Sequence, residues 1–263
     1  LSIEKKDVTK FKEIVKRIVT LVHLGQYDYS DFTILYRINS QSRMLEDILI
    51  REKIPYDIVG GFSFYQRKEI KIICSYLNLL LNPQNDRELL EIINYPKRGI
   101  GETTIKKCQE YAKSKKITLL EALRESKTFL TANMSSKIGT FLDVFDDLSE
   151  KKDLYDVGAF INCLIIDSGL EEYFSSEKDL EAINRLENIR EFGEIAWEFQ
   201  MNGGTLEEFL ENIAINQQEF DKKKEDGSRK VQLMTIHSSK GLEFPVVFMI
   251  GVEDNLLPYA KSK

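Results

Sequence analysis

FTILYRINSQSRMLEDILIREKIPYDIVGG, residues 32–61, decides the fold class. FTILY (32–36) is a short run of aromatic and β-branched residues, the pattern of a buried strand. QSRMLEDILIREK (41–53) brings Met44, Leu45, Ile48 and Leu49 to one helical face. Pro55 ends that helix, and YDIV (56–59) before Gly60-Gly61 reads as a second strand. Strand, helix and strand within about thirty residues is the cadence of a parallel α/β sheet.

Upstream, residues 8–24 space Val8, Phe11, Ile14, Val15, Ile18, Val19 and Val22 as an amphipathic helix, with Gly25 as its stop. Downstream the texture changes. From Arg67 to about Gln217 the pattern predicts helices at 67–81, 86–93, 102–114, 118–125, 135–148, 154–167, 179–200 and 205–216. FDKKKEDGSRK (220–230) is charged, carries a glycine and reads as an exposed linker. VQLMTI (231–236) and FPVVFMIGV (244–252) then predict two strands around a turn from His237 to Glu243. A C-terminal piece this short cannot build a core alone. The economical organisation is therefore an α/β domain interrupted by an all-α insert: 1–85, then the insert 86–222, then a return at 223–263.

The 263 residues are 42% hydrophobic and 30% charged with five prolines, which excludes a disordered or collagen-like chain. No apolar run approaches the roughly 18 residues of a membrane span, so no membrane partner is expected. Cys74, Cys108 and Cys163 are widely spaced and form no C-x-x-C pair. That pattern argues against a zinc site or disulfide framework and fits a reducing cytoplasm. The polar start, LSIEKKDV, has no signal-peptide core.

The net charge of −6 conceals segregation. Residues 97–116 hold seven basic and two acidic side chains, whereas 171–198 hold nine acidic and three basic. Phosphate contact is local, so an acidic protein can still carry a nucleic-acid surface; two ordinary solvated helix faces are the other reading.

Three segments carry chemistry. Tyr36-Arg37 closes the first strand, where ligands of parallel sheets bind; a ring can stack on a base and a guanidinium can clamp phosphate. A plain surface Tyr-Arg pair is the alternative. TIHSSKGLEF (235–244) gathers hydroxyls, a histidine, a lysine, a glycine and a carboxylate between two strands, as a ligand loop or as a decorated one. IINYPKRGIGETTI (92–105) is a helix, a glycine-containing turn and a helix, the form of a helix-hairpin-helix that offers N–H groups to phosphate; the alternative is a bare flexible turn. No G-x-x-x-x-G-K-[ST] phosphate loop occurs, and no nucleophile–histidine pairing or metal-ligand set stands out.

Residues 32–71, 94–105 and 231–258 together resemble the UvrD/PcrA/Rep family of superfamily 1 DNA helicases, in the family's order and across nearly the whole chain. The resemblance implies an incomplete second RecA-like domain with an inserted helical domain, and translocation on single-stranded DNA in the 3′ to 5′ direction driven by ATP and magnesium. By that likeness Tyr36 lies against the adenine, Arg37 is the catalytic finger at the γ-phosphate, and Glu243 sits near the nucleotide. Thr235, His237 and Lys240 meet the single strand; Gly60, Gly61, Phe64 and Arg67 help line its channel. Lys97, Arg98, Gly99, Ile100 and Gly101 meet duplex phosphates at the junction. No metal ligand is assigned. Partners implied are DNA, the first RecA-like domain of the same chain, and repair or replication proteins. The phosphate loop and the segment after Lys263 are outside this sequence, so the piece alone is expected neither to hydrolyse ATP nor to unwind. A regulatory DNA- or partner-binding module and an arm of a helicase–nuclease subunit are the competing expectations.

Overall fold

The computed structural model describes residues 3–36, 41–59, 63–176, 180–225 and 229–251. It divides into two compact units. The first comprises residues 1–67 and 214–263, the second residues 68–213.

In the first unit, β1 (Phe32–Tyr36), β2 (Tyr56–Ile58), β3 (Val231–Thr235) and β4 (Val246–Met249) form one sheet in the order β2-β3-β1-β4. All three pairings are parallel, with Tyr36 opposite Thr235 and Phe32 opposite Val246. Central β1 is buried at all five positions, which is why its sequence is an unbroken apolar run except for Thr33. The Thr33 hydroxyl is satisfied by the Gln232 carbonyl at 3.1 Å. Helices α1 (Ile3–His23) and α2 (Gln41–Arg51) supply the rest of the core. Phe11, Val15 and Ile18 from α1 and Leu45, Ile48 and Leu49 from α2 join one cluster with Phe32, Ile34 and Leu233.

β3 and β4 are the two strands expected around the His237–Glu243 turn, and they flank β1 on opposite sides. The ten residues between them therefore form a parallel crossover, and among the described residues β4 is an edge strand with Val247 and Met249 half exposed.

The second unit is all helical: α3 (Lys68–Leu81), α4 (Asp86–Ile92), α5 (Glu102–Lys115), α6 (Leu119–Arg124), α7 (Ala132–Lys151), α8 (Val157–Asp167), α9 (Leu170–Ser176), α10 (Leu180–Met201) and the start of α11 (Leu206–Glu225). It begins at Lys68 rather than at 86, because ten of the 14 residues of α3 are buried and the helix packs on α4, α7 and α10. A second departure lies at the other end. The charged stretch after residue 220 continues α11 to Glu225 instead of forming a linker, since Lys and Glu are good helix formers and no glycine intervenes before Gly227. Local signals are plain elsewhere. Thr118 and Glu121 cap the start of α6 reciprocally, the Glu121 carboxylate accepting from the Thr118 N–H at 2.7 Å.

Close packing in this unit is concentrated where α8 meets α10. Gly158 donates its N–H to the Gln200 side chain at 2.9 Å. A Cβ at Gly158 would lie 2.7 Å from the Trp197 ring and 2.9 Å from its Cα. Gly158→Ala is therefore expected to destabilise the chain by about 1–3 kcal/mol through overpacking, although alanine ordinarily favours a helix by roughly 1 kcal/mol over glycine. Urea denaturation of the two proteins measures the difference; equal or greater stability of the variant would contradict the contact.

Candidate functional site

A parallel sheet releases all its strands through one edge, and ligands of such folds bind there. Here β1 ends at Tyr36 beside Thr235 of β3, and the Ile236 N–H donates to the Tyr36 carbonyl at 2.9 Å. The ends of β1 and β3 thus lie side by side, about 4.8 Å apart. Arg37, Gly60 and Gly61 lie outside the described residues.

The loop after β3 is wound on its own hydroxyls. The Thr235 Oγ1 accepts the Ser238 N–H at 3.1 Å and bonds the Ser238 hydroxyl at 2.9 Å. Ser239 donates its hydroxyl to the Ile236 carbonyl at 2.8 Å and its N–H to the Thr235 carbonyl at 3.2 Å. Gly241 has a φ of +85°, a left-handed turn that favours glycine. The result is a compact turn exposing His237, Lys240 and Glu243 to solvent. Thr235 acts inside this turn, positioning the three exposed groups rather than reaching outward.

Tyr36 differs from its expectation. Its ring is 1% exposed and belongs to the core, so it cannot stack on a base where it stands. Burial pushes its phenol up to about 12, with Arg67 opposing and Glu46 adding to the shift. Its hydroxyl bonds the Ser42 side chain. Ser42 in turn donates to Glu46 Oε1 at 2.8 Å and accepts from Arg67 Nη2 at 2.7 Å. Glu46 accepts the Phe64 N–H on both oxygens at 3.3 Å and a hydrogen bond from Ser63. The Arg67 guanidinium also lies over the Phe64 ring, 5.2 Å from its centroid. Phe64 and Arg67, expected along a strand channel, are thus buried members of a polar network below the sheet edge. Sequence reasoning does not find Ser42, Glu46 and Ser63. A signal exists: Ser42, Leu45, Glu46 and Leu49 occupy one buried helical stripe, and two polar residues on such a stripe need partners.

In the helical unit, α4 and α5 are joined by residues 93–101, and Asn94 organises the connection. Its Oδ1 accepts the N–H groups of Arg98 at 2.9 Å and Ile100 at 3.2 Å. Arg98 is turned inward. Nη1 donates to the Ile92 carbonyl at 3.1 Å and the Pro96 carbonyl at 3.4 Å, while Nη2 reaches the Tyr76 hydroxyl at 2.9 Å and the Ser168 carbonyl at 3.2 Å. The Ile92 carbonyl at the end of α4 also accepts the Tyr95 N–H at 3.0 Å, so the guanidinium adds a second donor there and ties the turn to Ser168. Ile100 is 2% exposed and packs in the core. A duplex contact by Arg98 or Ile100 would require breaking these interactions. Lys97, Gly99, Gly101, Lys106 and Lys107 face solvent, with Gly101 at the N-cap of α5. Lys137 donates to the Gly99 carbonyl at 3.2 Å, which adds a further cation beside the turn. Among the described residues no cluster of three or more His, Cys, Asp or Glu side chains is arranged for a metal. No helix among them is long and apolar enough to cross a membrane.

A parallel-sheet unit interrupted in sequence by a helical unit, with β1 and β3 ending side by side, defines an interrupted α/β domain. The sequence model of the UvrD-like helicase C-terminal domain matches residues 2–263, and the chain belongs to that family. It is 35% identical over 256 residues to the ATP-dependent DNA helicase PcrA of Bacillus subtilis, covering 95% of this chain and 35% of that protein. It is 36% identical over 251 residues to the PcrA helicase of Staphylococcus epidermidis, covering 95% of this chain and 34% of the relative. The PcrA helicase of Staphylococcus aureus is 36% identical over 236 residues, with 89% of this chain and 32% of the relative covered. The chain thus spans about a third of the length of the curated relatives it matches.

Two predictions separate the inward groups from the outward ones. Arg98→Ala is expected to destabilise the chain by about 1–3 kcal/mol, because the Pro96 and Ser168 carbonyls and the Tyr76 hydroxyl lose the guanidinium and the Ile92 carbonyl keeps only the Tyr95 N–H, whereas Lys97→Ala changes stability by no more than about 0.5 kcal/mol. Chemical denaturation of both variants distinguishes them. Glu46 has its own signature. Burial raises its carboxyl from 4.5 to about 7, against the pull of Arg67, Ser42, Ser63 and the Phe64 N–H. The folded state therefore holds the proton more tightly than the unfolded chain, and this group's contribution to stability declines as pH rises from 4.5 to about 7 and is constant above. The stability gap between wild type and Glu46→Gln should narrow over that window. Parallel melting curves from pH 5 to 8 check the sign.

Proposed function

We propose that this chain is the second motor-domain portion, with its helical insert, of a 3′-to-5′ ATP-dependent DNA helicase that translocates on single-stranded DNA and unwinds a duplex. One observation carries the reading: β1 and β3 pair in register, so Tyr36 and Thr235 end side by side at one edge of the sheet. In this reading Arg37 reaches across to a nucleotide held chiefly by another domain of the parent protein and stabilises charge on its γ-phosphate. Glu243 lies at the nucleotide side of the β3–β4 loop, and His237 and Lys240 meet the backbone of the single strand. Gly60 and Gly61 border the same strand path. Tyr36 supports this edge from within the core; contact with the base would require its ring to leave the Ser42–Glu46–Arg67 network. The described residues offer no ligand set for magnesium, and the ion belongs in this reading to another part of the parent.

Lys97, Gly99 and Gly101, with Lys106 and Lys107, form the duplex contact of the helical unit. Backbone N–H groups at the start of α5 and the surrounding cations suit phosphates without regard to base sequence. The acidic stretch 171–198 disfavours DNA on its own surface. Repair or replication proteins are the partners of such an enzyme.

Three measurements test this. The purified chain is expected to hydrolyse no ATP and unwind no DNA. In the complete parent protein, Arg37→Ala should lower DNA-stimulated ATP turnover by about 10³–10⁵-fold while nucleotide binding is retained. Unchanged turnover would remove Arg37 from the γ-phosphate. Combined Lys97→Ala and Lys106→Ala should make the dependence of duplex affinity on salt shallower by about 0.9 in log–log slope for each phosphate no longer neutralised. An unaltered slope would move the duplex surface elsewhere.

A further inference from the structure

We infer that Glu46 is a positioning residue for the nucleotide edge, tying the first turn of α2 and the connection before α3 together beneath the end of β1. The inference rests on the nucleotide reading of that edge. Three chain segments meet at this carboxylate. Ser42 and Glu46 come from α2, Ser63, Phe64 and Arg67 from the connection between β2 and α3, and Tyr36 from the last position of β1. α2 is the helix that follows β1 and the Ser63–Arg67 connection follows β2, so the carboxylate ties together two segments that each succeed a strand of the sheet.

The hydrogen-bond stoichiometry makes the arrangement depend on one proton. A serine hydroxyl has one hydrogen and two lone pairs. Ser42 directs its hydrogen to Glu46 Oε1, which leaves its oxygen to accept from Arg67 Nη2. The groups directed at Glu46 are all donors: the Ser42 and Ser63 hydroxyls and the Phe64 N–H. That set fits an ionised carboxylate. Protonation turns a charged acceptor into a neutral one and weakens the bonds it accepts from Ser42, Ser63 and the Phe64 N–H, which join the two segments. Burial works against the charge, and the balance between the two leaves the carboxyl titrating at about 7. The titratable and charged groups facing it are Tyr36 from β1 and Tyr65 and Arg67 from the connection before α3; on α2 itself, Arg43 and Asp47 pair with each other at 3.0 Å. Tyr36 and Tyr65 are pushed well above neutrality by burial, so neither titrates in the same range.

The test uses the complete parent protein and follows DNA-stimulated ATP turnover between pH 6 and 8.5 for wild type, Glu46→Gln and Glu46→Asp. Wild type should gain turnover as pH rises, with a midpoint near 7. Glu46→Gln, which holds the uncharged state in nearly the same shape, should stay flat across the range and run about five- to tenfold below wild type at pH 8. Glu46→Asp keeps the charge and should recover a pH-dependent profile. Melting curves of each variant show that it is folded at the assay temperature. A Glu46→Gln profile parallel to wild type overturns the inference, as does a pH-independent loss shared equally by Gln and Asp, which marks a purely structural carboxylate. Absence of ATP turnover in wild type would instead overturn the helicase reading, and this inference with it.

Discussion

The pairing of β1 with β3 is the constraint on which the molecule depends. Thr33 and its partner Gln232 are 199 positions apart in sequence, yet their strands share a ladder at the centre of the sheet. Joining the ends of a flexible chain costs only about 0.6 kcal/mol more for each doubling of its length, and here the intervening residues are themselves a packed unit. The sheet can therefore accept a whole helical body within one of its connections. What it cannot accept is a weak centre. Burial of every residue of β1, and of Val231, Leu233 and Met234 in β3, concentrates the apolar area where the closure must be secured.

Two guanidiniums illustrate how the units use charge. Arg67 and Arg98 each sit largely inside, one on a serine and an aromatic face, the other on carbonyls left at the end of a helix. Neither is free for a phosphate. The exposed cations of the two motifs, Lys97, Lys106, Lys107 and Lys240, are lysines, point charges without the geometric demands of a guanidinium fork.

Much of the fold is legible in the chain. The apolar run of β1, the stripe of α1 and most helices follow from periodicity and from Pro and Gly punctuation, which depend on near neighbours alone. The order of the strands does not: that β3 and β4 lie on opposite sides of β1 is settled by which faces need cover, a property of the whole sheet. The site is legible as three motifs, and the exposed turn carrying His237, Lys240 and Glu243 is the compact, functional-group-rich loop that its composition suggests. The interior partners are not legible. Ser42 and Glu46 pass for ordinary solvated residues until Arg67 and the Phe64 N–H are seen to approach from a segment some twenty residues away. Arg98 looks like a phosphate ligand because composition reports that a cation is present and says nothing of the carbonyls that surround it.

The long separation of β1 and β3 also bears on how the chain is made. A ribosome adds roughly 5–20 residues each second, so the strand partner at Val231 follows Tyr36 by about ten to forty seconds. The helical unit, continuous from Lys68 to Ile213, is complete before that partner emerges. During the interval β1 is an apolar strand without its ladder, tethered to a body that has already folded. The nascent chain must keep that strand from pairing with a neighbour, and its hydrophobic side chains are the natural target of a holding chaperone until synthesis reaches β3.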